Sequence, residues 1–294
     1  MIAGMPDTAR SLIFAEGLLS GQVALITGGG TGLGKATAIE LARCGATVVI
    51  AGRRAEVLEA AVMEIGDAVG RDGAADWAAG DVREPHDARR LVETAIERCG
   101  RLDVLINNAG GQYFTPAESI VAKGWRAVWR LNVEGVLNMA IAAVEHGMGD
   151  GEDGATIVNV TLSPHHGMPG MAHSGAARAT VEALTRELAA RWSDRGIAVT
   201  AVAAGHFDTD AMAKYPDTVQ AGMARSVPLQ RLGRPEEHAW LIALLCSPLG
   251  QALNGSTITL DGARDNWFGP WPPPGLTGEM GEVPTEARTG VRPA

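Results

Sequence analysis

Tyrosine is almost missing from this chain: its 294 residues hold two, Tyr113 and Tyr215, within an aromatic content of 4%. Cysteine is nearly as rare. Cys44, Cys99 and Cys246 are an odd number without metal-ligand spacing, in or at the ends of helical patterns. They exclude a disulfide scaffold or zinc module and read as reduced thiols. A basic surplus is also lacking. The net charge of −9 excludes the positive face that a nucleic-acid binder needs. No apolar run is expected to reach the length of a membrane helix. Residues 1–20 contain one arginine and no long apolar core, so no secretory leader is expected. Val291-Arg292-Pro293-Ala294 is not a peroxisomal address, and a cytoplasmic protein is expected. What remains, 46% apolar and 20% charged, is an ordinary globular composition.

The richest stretch is Gln22-Val23-Ala24-Leu25-Ile26-Thr27-Gly28-Gly29-Gly30-Thr31-Gly32-Leu33-Gly34-Lys35. Its apolar run reads as a buried parallel strand, and an apolar-periodic helix continues to about Cys44. Glycines between them let the backbone turn tightly and approach a pyrophosphate without a Cβ in the way. The helix start then offers unpaired N–H groups and a positive dipole end. The spacing is T-G-x-x-x-G-x-G rather than the literal G-x-G-x-x-G. A plain glycine-rich turn is the bland alternative, and the pattern of the remaining chain weakens it.

Further strands are expected at 46–51, ending near 80–82, and at 102–106, 155–161, 197–202 and 256–260. Helices are expected at 55–70, 85–99, over most of 116–147, and at 171–192, 209–225 and 235–246. Strands alternating with helices imply an α/β fold: a single-domain, Rossmann-type, doubly wound parallel sheet of about seven strands with helices on both faces. Residues 1–20 read as a lead-in whose Leu12, Ile13, Phe14, Leu18 and Leu19 can pack on the domain of 21–264. Residues 265–294, with Trp267, Trp271 and Pro272-Pro273-Pro274, read as a Pro/Gly-rich tail, either on the surface or strapped over the site or a neighbouring subunit.

In dinucleotide sites a carboxylate about 20 residues beyond the glycines binds the adenine ribose hydroxyls of NAD. Here strand two ends Ala51-Gly52-Arg53-Arg54, with no carboxylate. Guanidinium groups clamp a 2′-phosphate, so NADP(H) is the expected cofactor. Asp81 and Val82 end the third strand where an adenine edge would lie.

These residues resemble the short-chain dehydrogenase/reductase superfamily over roughly 20–264. The likeness rests on the glycine turn, Asp81, Asn107-Asn108-Ala109-Gly110, Asn132 in Leu-Asn-Val-Glu-Gly, and Ala204-Gly205 with Thr209. Finer similarity points to 2,4-dienoyl-CoA reductases and peroxisomal trans-2-enoyl-CoA reductases. It is carried by residues 110–118, by Lys123-Gly124-Trp125, and by His173-Ser174-Gly175-Ala176-Ala177-Arg178. The resemblance implies cofactor contacts at Gly28, Gly30, Thr31, Gly32, Leu33, Arg53, Arg54, Asp81, Val82, Asn108, Ala109, Gly110, Arg178, Ala204, Gly205, Phe207 and Thr209. It implies substrate contacts at Gln112, Tyr113 and Arg83, an acyl-CoA thioester as substrate, and a homotetramer packed through 116–147 and 171–192.

Most of the superfamily carries Y-x-x-x-K on the helix after strand five. Here those positions are Ser174 and Arg178, and the substitute tyrosine of dienoyl-CoA reductases, eleven residues earlier, is Ser163. A serine is a poor acid and an arginine does not relay protons. Ketone reduction, which needs a proton delivered to an alkoxide, is therefore poorly served. Reduction of a conjugated thioester develops charge on an enolate oxygen that hydrogen-bond donors stabilise, and protonation at carbon can come from water or a nearby group. Ser174, Arg178, Thr161, Ser163, Gln112 and Tyr113 are candidate donors, and Asn132 either orders a water or shapes its helix. His165, His166 and His173 read as loop caps rather than proton donors or metal ligands; no metal is expected, because no carboxylate or cysteine completes a set. The expected function is NADPH-dependent reduction of a C=C bond in an enoyl- or dienoyl-CoA-type thioester. The alternatives are a carbonyl/alcohol oxidoreductase with an atypical proton donor, or a catalytically weak NADP(H)-binding protein.

Overall fold

A computed structural model describes residues 9–151, 154–163, 165–166, 170–210, 212 and 222–267. Its strands are β1 (Val23–Thr27), β2 (Thr47–Gly52), β3 (Ala75–Ala79), β4 (Val104–Asn107), β5 (Ala155–Leu162), β6 (Ile197–Ala204) and β7 (Thr257–Leu260). The helices, numbered among the described residues, are α1 (Gly32–Arg43), α2 (Ala55–Val69), α3 (Pro85–Cys99), α4 (Ala122–Trp129), α5 (Gly135–Glu145), α6 (Ala172–Trp192) and α7 (Pro235–Cys246). The strands form one seven-stranded parallel sheet in the order β3-β2-β1-β4-β5-β6-β7. This is the doubly wound architecture that the alternating pattern implies.

The period-2 alternation of a strand sorts its side chains between two cores. Ile26, Ile50, Ile106 and Val158 face Leu41 of α1, Leu58 of α2 and Leu245 of α7. Their neighbours Leu25, Val49, Leu105 and Ile157 face Leu91 of α3, Met139 of α5 and Leu188 of α6. Both faces are covered, which is why these strands read as unbroken apolar runs. A buried polar chain crosses the second layer: Asn107 Nδ2 donates to Asn159 Oδ1 (2.9 Å) and Asn159 Nδ2 to Thr185 Oγ1 (2.9 Å). It ties β4, β5 and α6 at one depth.

Several boundaries differ from expectation. β3 stops at Ala79, and Asp81 and Val82 lie in the turn beyond it. The segment 116–147 is interrupted. A 3₁₀ turn at Ala117–Ser119 precedes α4, and a π-helical turn, Arg130–Glu134, joins α4 to α5. The continuous helical run Ala122–Glu145, 24 residues, is long and apolar enough to cross a membrane, contrary to the expectation from sequence. Here its residues Val128, Val136, Met139 and Ala143 are buried within the protein. In the lead-in Leu19 is buried and Phe14 and Leu18 pack on the core, but Leu12 and Ile13 are exposed. Residues 1–8, most of the expected helix over 209–225 together with Tyr215, and the tail beyond Trp267 lie outside the described residues. All three cysteines are free, and burial pushes the Cys44 thiol up to about 12.

Candidate active site

The chain winds outward in opposite directions from β1 and β4, and the strand ends diverge there into a crevice. Thr27 closes β1 at this point. Its Oγ1 donates to Ile106 O (3.2 Å) and accepts the N–H groups of Asn108 (3.1 Å) and Ala109 (3.0 Å). Asn108 Nδ2 reaches back to Thr27 O (3.0 Å) and Gly28 O (3.3 Å). The glycine loop is thereby fastened to the loop after β4. Gly28 and Gly32 adopt φ of +67° and +52°, a conformation that favours glycine. A Cβ at Gly34 would lie 2.3 Å from Gly28 O and 2.5 Å from Asn108 Nδ2, so only glycine lets α1 seat against this join.

A cleft of about 680 Å³ opens above the join. All seventeen residues expected to hold a cofactor line it: Gly28, Gly30, Thr31, Gly32, Leu33, Arg53, Arg54, Asp81, Val82, Asn108, Ala109, Gly110, Arg178, Ala204, Gly205, Phe207 and Thr209. The fit to a dinucleotide is physical. No side chain caps the start of α1, and its first turn carries no acidic residue, so its N–H groups face the cleft unopposed. Arg178 places Nη1 on Val160 O (2.8 Å), and its buried Nε has no partner among the described residues. Burial lowers its pKa to about 10, so it remains a cation at neutral pH. A Cβ at Gly110 would sit 2.4 Å from Arg178 Nη2, so the glycine makes room for the guanidinium. Arg53 and Arg54 are exposed at the cleft's far end. Asp81 is bound to Arg83, whose guanidinium holds the carboxyl below its usual range.

The candidate chemical groups divide. Thr161 and Gln112 line the cleft; Ser174, Ser163, Asn132, Tyr113 and Arg83 are not among its lining residues. Each serine and threonine hydroxyl already has an acceptor. Ser174 Oγ donates to Gln112 Oε1 (2.7 Å), Thr161 Oγ1 to Glu182 Oε1 (2.9 Å), and Ser163 Oγ to Asp261. With Oε1 taken, the Gln112 amide has its Nε2 donors left for the cleft. Asn132 sits in the π-helical turn, where Nδ2 donates to Val128 O (2.7 Å) and Gly111 O (2.8 Å) while Oδ1 accepts Gly111 N–H (3.2 Å). It shapes the helix and also clamps the backbone next to Gln112. Tyr113 packs edge-on against His173 at 4.4 Å and is 39% exposed.

Sequence reasoning missed His206 and the apolar side of the cleft: Phe114, Leu131, Leu162, Met171, Met212 and Met223. His206 was legible, since it stands between two residues singled out, Gly205 and Phe207. Burial, with Arg264 nearby, pushes its pKa down against a smaller opposing effect of Asp261. The methionines come from separate segments and share no motif. Among the described residues no group of three or more His, Cys, Asp or Glu could hold a metal.

Residues 28–263 match the family described as Enoyl-(Acyl carrier protein) reductase. The chain is 38% identical over 256 residues to the protein named Probable 2,4-dienoyl-CoA reductase of Bacillus subtilis strain 168, covering 85% of this chain and 98% of that one. It is also 38% identical over 245 residues to the cis-4-hydroxycyclohexanecarboxylate dehydrogenase of Sinomonas cyclohexanicum, covering 82% and 95%. Among solved structures, a citronellol catabolism dehydrogenase, AtuB, from Pseudomonas aeruginosa PAO1 superposes with a TM-score of 0.76. It shares 39% identity and covers 88% of this chain and 100% of that one.

The glycine join yields a direct test. Gly34→Ala should weaken reduced nicotinamide dinucleotide at least tenfold, about 1.4 kcal/mol, in a fluorescence titration. An unchanged affinity would mean that the loop accommodates the methyl group and the close approach is unimportant.

Proposed function

The chain belongs to the short-chain dehydrogenase/reductase superfamily, and from that premise we propose that it uses NADPH to reduce a C=C bond of an enoyl- or dienoyl-CoA-type thioester. One observation carries this reading: the Ser174 hydroxyl at the family's tyrosine position donates to Gln112, not into the cleft. The donors left facing the cleft are then the Gln112 amide and the cationic Arg178. Such donors stabilise negative charge on an oxygen but supply no proton to an alkoxide.

When bound, the nicotinamide would supply hydride. Arg178, lining the cleft, would hold the cofactor ribose and keep a positive charge near the site of reaction. Gln112, steadied by Ser174 and by the Asn132 clamp on Gly111, donates Nε2–H to the thioester oxygen as charge develops there. Phe114, Met171 and Met223 give the acyl chain an apolar wall, and methionine adapts to varied chain shapes. A panel of enoyl thioesters, dienoyl thioesters and ketones, followed by NADPH consumption, tests the assignment. Oxidation with ketones alone sinks it.

A second reading, a carbonyl or alcohol oxidoreductase, is favoured by His206 in the cleft wall and by the similarity to a hydroxycyclohexanecarboxylate dehydrogenase. Ser174→Tyr with Arg178→Lys separates the two. A ketone reductase should gain turnover strongly, whereas a thioester reductase should lose it to crowding by the phenol.

The first reading carries three expected outcomes. NADPH should bind at least about tenfold tighter than NADH, because Arg53 and Arg54 stand where a ribose-binding carboxylate would repel the 2′-phosphate. Arg53→Ala should remove most of that preference in calorimetry, with NADH little affected. Gln112→Leu should lower kcat on thioesters on the order of 10²-fold, and Ser174→Ala less, since the amide survives without its anchor; equal kcat values for Gln112→Leu and wild type would discard the donor role. Light scattering should return a homotetramer mass, with the exposed Val121 and Trp125 of α4 and its flank in a packing face; a monomer at all concentrations contradicts it.

A further inference from the structure

Reduction of C=C consumes a proton as well as a hydride, and the groups assigned so far do not deliver it. Arg178 stays charged, Ser174 is bound to Gln112, and Ser163 is bound to Asp261 away from the cleft. One side chain outside the cleft is built differently. His165, in the loop between β5 and α6, has Nε2 2.9 Å from Glu182 Oε1 and Nδ1 2.5 Å from Asp265 Oδ2. Its backbone N–H also donates to Asp265 Oδ1 (2.6 Å). An ionised carboxylate only accepts, so a carboxylate on each ring nitrogen favours the doubly protonated ring, the imidazolium. Among the described residues, further titratable groups stand around this clasp. His166 faces Asp265 at 3.4 Å, and Asp261 at the end of β7 accepts the Asp265 N–H at 2.7 Å.

The same Oε1 of Glu182 that faces His165 also accepts from Thr161 Oγ1 at 2.9 Å. Thr161 lines the cleft and is 2% exposed, Glu182 is buried, and the His165 side chain is 34% exposed to solvent. Three groups from β5, α6 and the intervening loop thus make an unbroken line from water to the cleft, each within hydrogen-bond distance of the next.

We propose that His165 feeds the proton consumed by the reaction from solvent into the cleft, through Glu182 and Thr161. The inference rests on the thioester reading and completes it. Hydride addition at the remote carbon moves the C=C electron pair toward the thioester oxygen. The Thr161 hydroxyl, which at rest donates to Glu182 Oε1, first turns toward the cleft, and protonation of the enolate at carbon then breaks its O–H bond. In the same movement His165 Nε2 gives its proton to Glu182 Oε1, Oε1 passes it to Thr161 Oγ1 so that no free alkoxide stands, and solvent reprotonates the imidazole. Thr161 is the catalytic group. Glu182 and His165 act through it.

The pH window has a definite sign. Burial alone would depress the pKa of His165, but Asp265 and Glu182 outweigh it and hold the value above 6.5. The stabilisation from this clasp is therefore complete below 6.5 and is lost as pH rises through the raised value. Proton supply should fail over the same alkaline window.

The test uses the full chain and the coenzyme A thioester that wild type reduces fastest. In cofactor-free protein, the imidazole nitrogen signals of His165 should titrate above 6.5, and Asp265→Asn should lower the midpoint. The alkaline limb of kcat should coincide with the wild-type midpoint and move with it in Asp265→Asn. His165→Gln should lower kcat on the order of 10²-fold, leave NADPH affinity unchanged, and recover in part with added imidazole. If His165→Gln does not fold, the paired shift of midpoint and limb in Asp265→Asn decides alone. Thioester reduction with a limb that ignores the His165 midpoint overturns the relay and leaves the thioester reading standing, with His206 as the competing donor. A His165 that titrates at its ordinary value also overturns it. No turnover of any thioester removes the reading and the relay together.

Discussion

The hydrogen-bonded join of Thr27 to Asn108 is the constraint on which the rest depends. Two parallel strands that wind outward in opposite directions leave a gap at their ends, and a gap lined with backbone would be free to close or slip. Thr27 Oγ1 spans it by donating to one carbonyl and accepting two N–H groups, and Asn108 returns two bonds to the glycine loop. The same few atoms satisfy buried backbone, set the height of the glycine loop and hold the α1 N-terminus toward the cleft. These bonds form without a ligand, so a phosphate group would meet a loop already held in place, with little ordering entropy left to lose.

What could be read from residues alone depends on how local each signal is. Strand β1, its glycines and α1 are contiguous, and each residue type has one physical reason to be there. The sheet was legible because strands buried on both faces are unbroken apolar runs. Boundaries failed where a contact distant in sequence decides. β3 stops at Ala79, yet Gly80 N–H still donates to Gly52 O (2.8 Å), so the chain looks strand-like past the strand's end. The π-helical turn at Asn132 has no period of its own, because a side chain supplies the bonds its backbone lacks.

The candidate site shows the same division more sharply. The seventeen residues expected to hold the cofactor were legible by motif, whereas the apolar side of the cleft was not, because its residues come from separate segments. The destination of each hydroxyl was not, because the acceptors Glu182, Asp261 and Gln112 lie 21, 98 and 62 residues away from their donors. Residue identity marked Ser174 as a poor acid; only the fold shows that it anchors an amide. His165 likewise looked like a loop cap until Glu182 from α6 and Asp265 from beyond β7 were placed on its two nitrogens.

The guanidinium of Arg178 gives the final link between stability and function. Among the described residues no carboxylate lies in hydrogen-bond contact with it and its buried Nε has no partner, so folding carries this charge inward against its desolvation. A lysine there could lose its proton and escape the penalty, but arginine keeps its charge. The Val160 carbonyl offsets only part of the cost. On the proposed reading, a ribose offering hydroxyl acceptors and an enolate gathering negative charge nearby would supply what the protein interior does not. The charge would then be unfavourable for the folded chain alone and favourable in the complex, which is the condition for a ligand to stabilise the native state. By the same reasoning the charge would act most strongly when negative charge is greatest, in the transition state rather than the bound substrate.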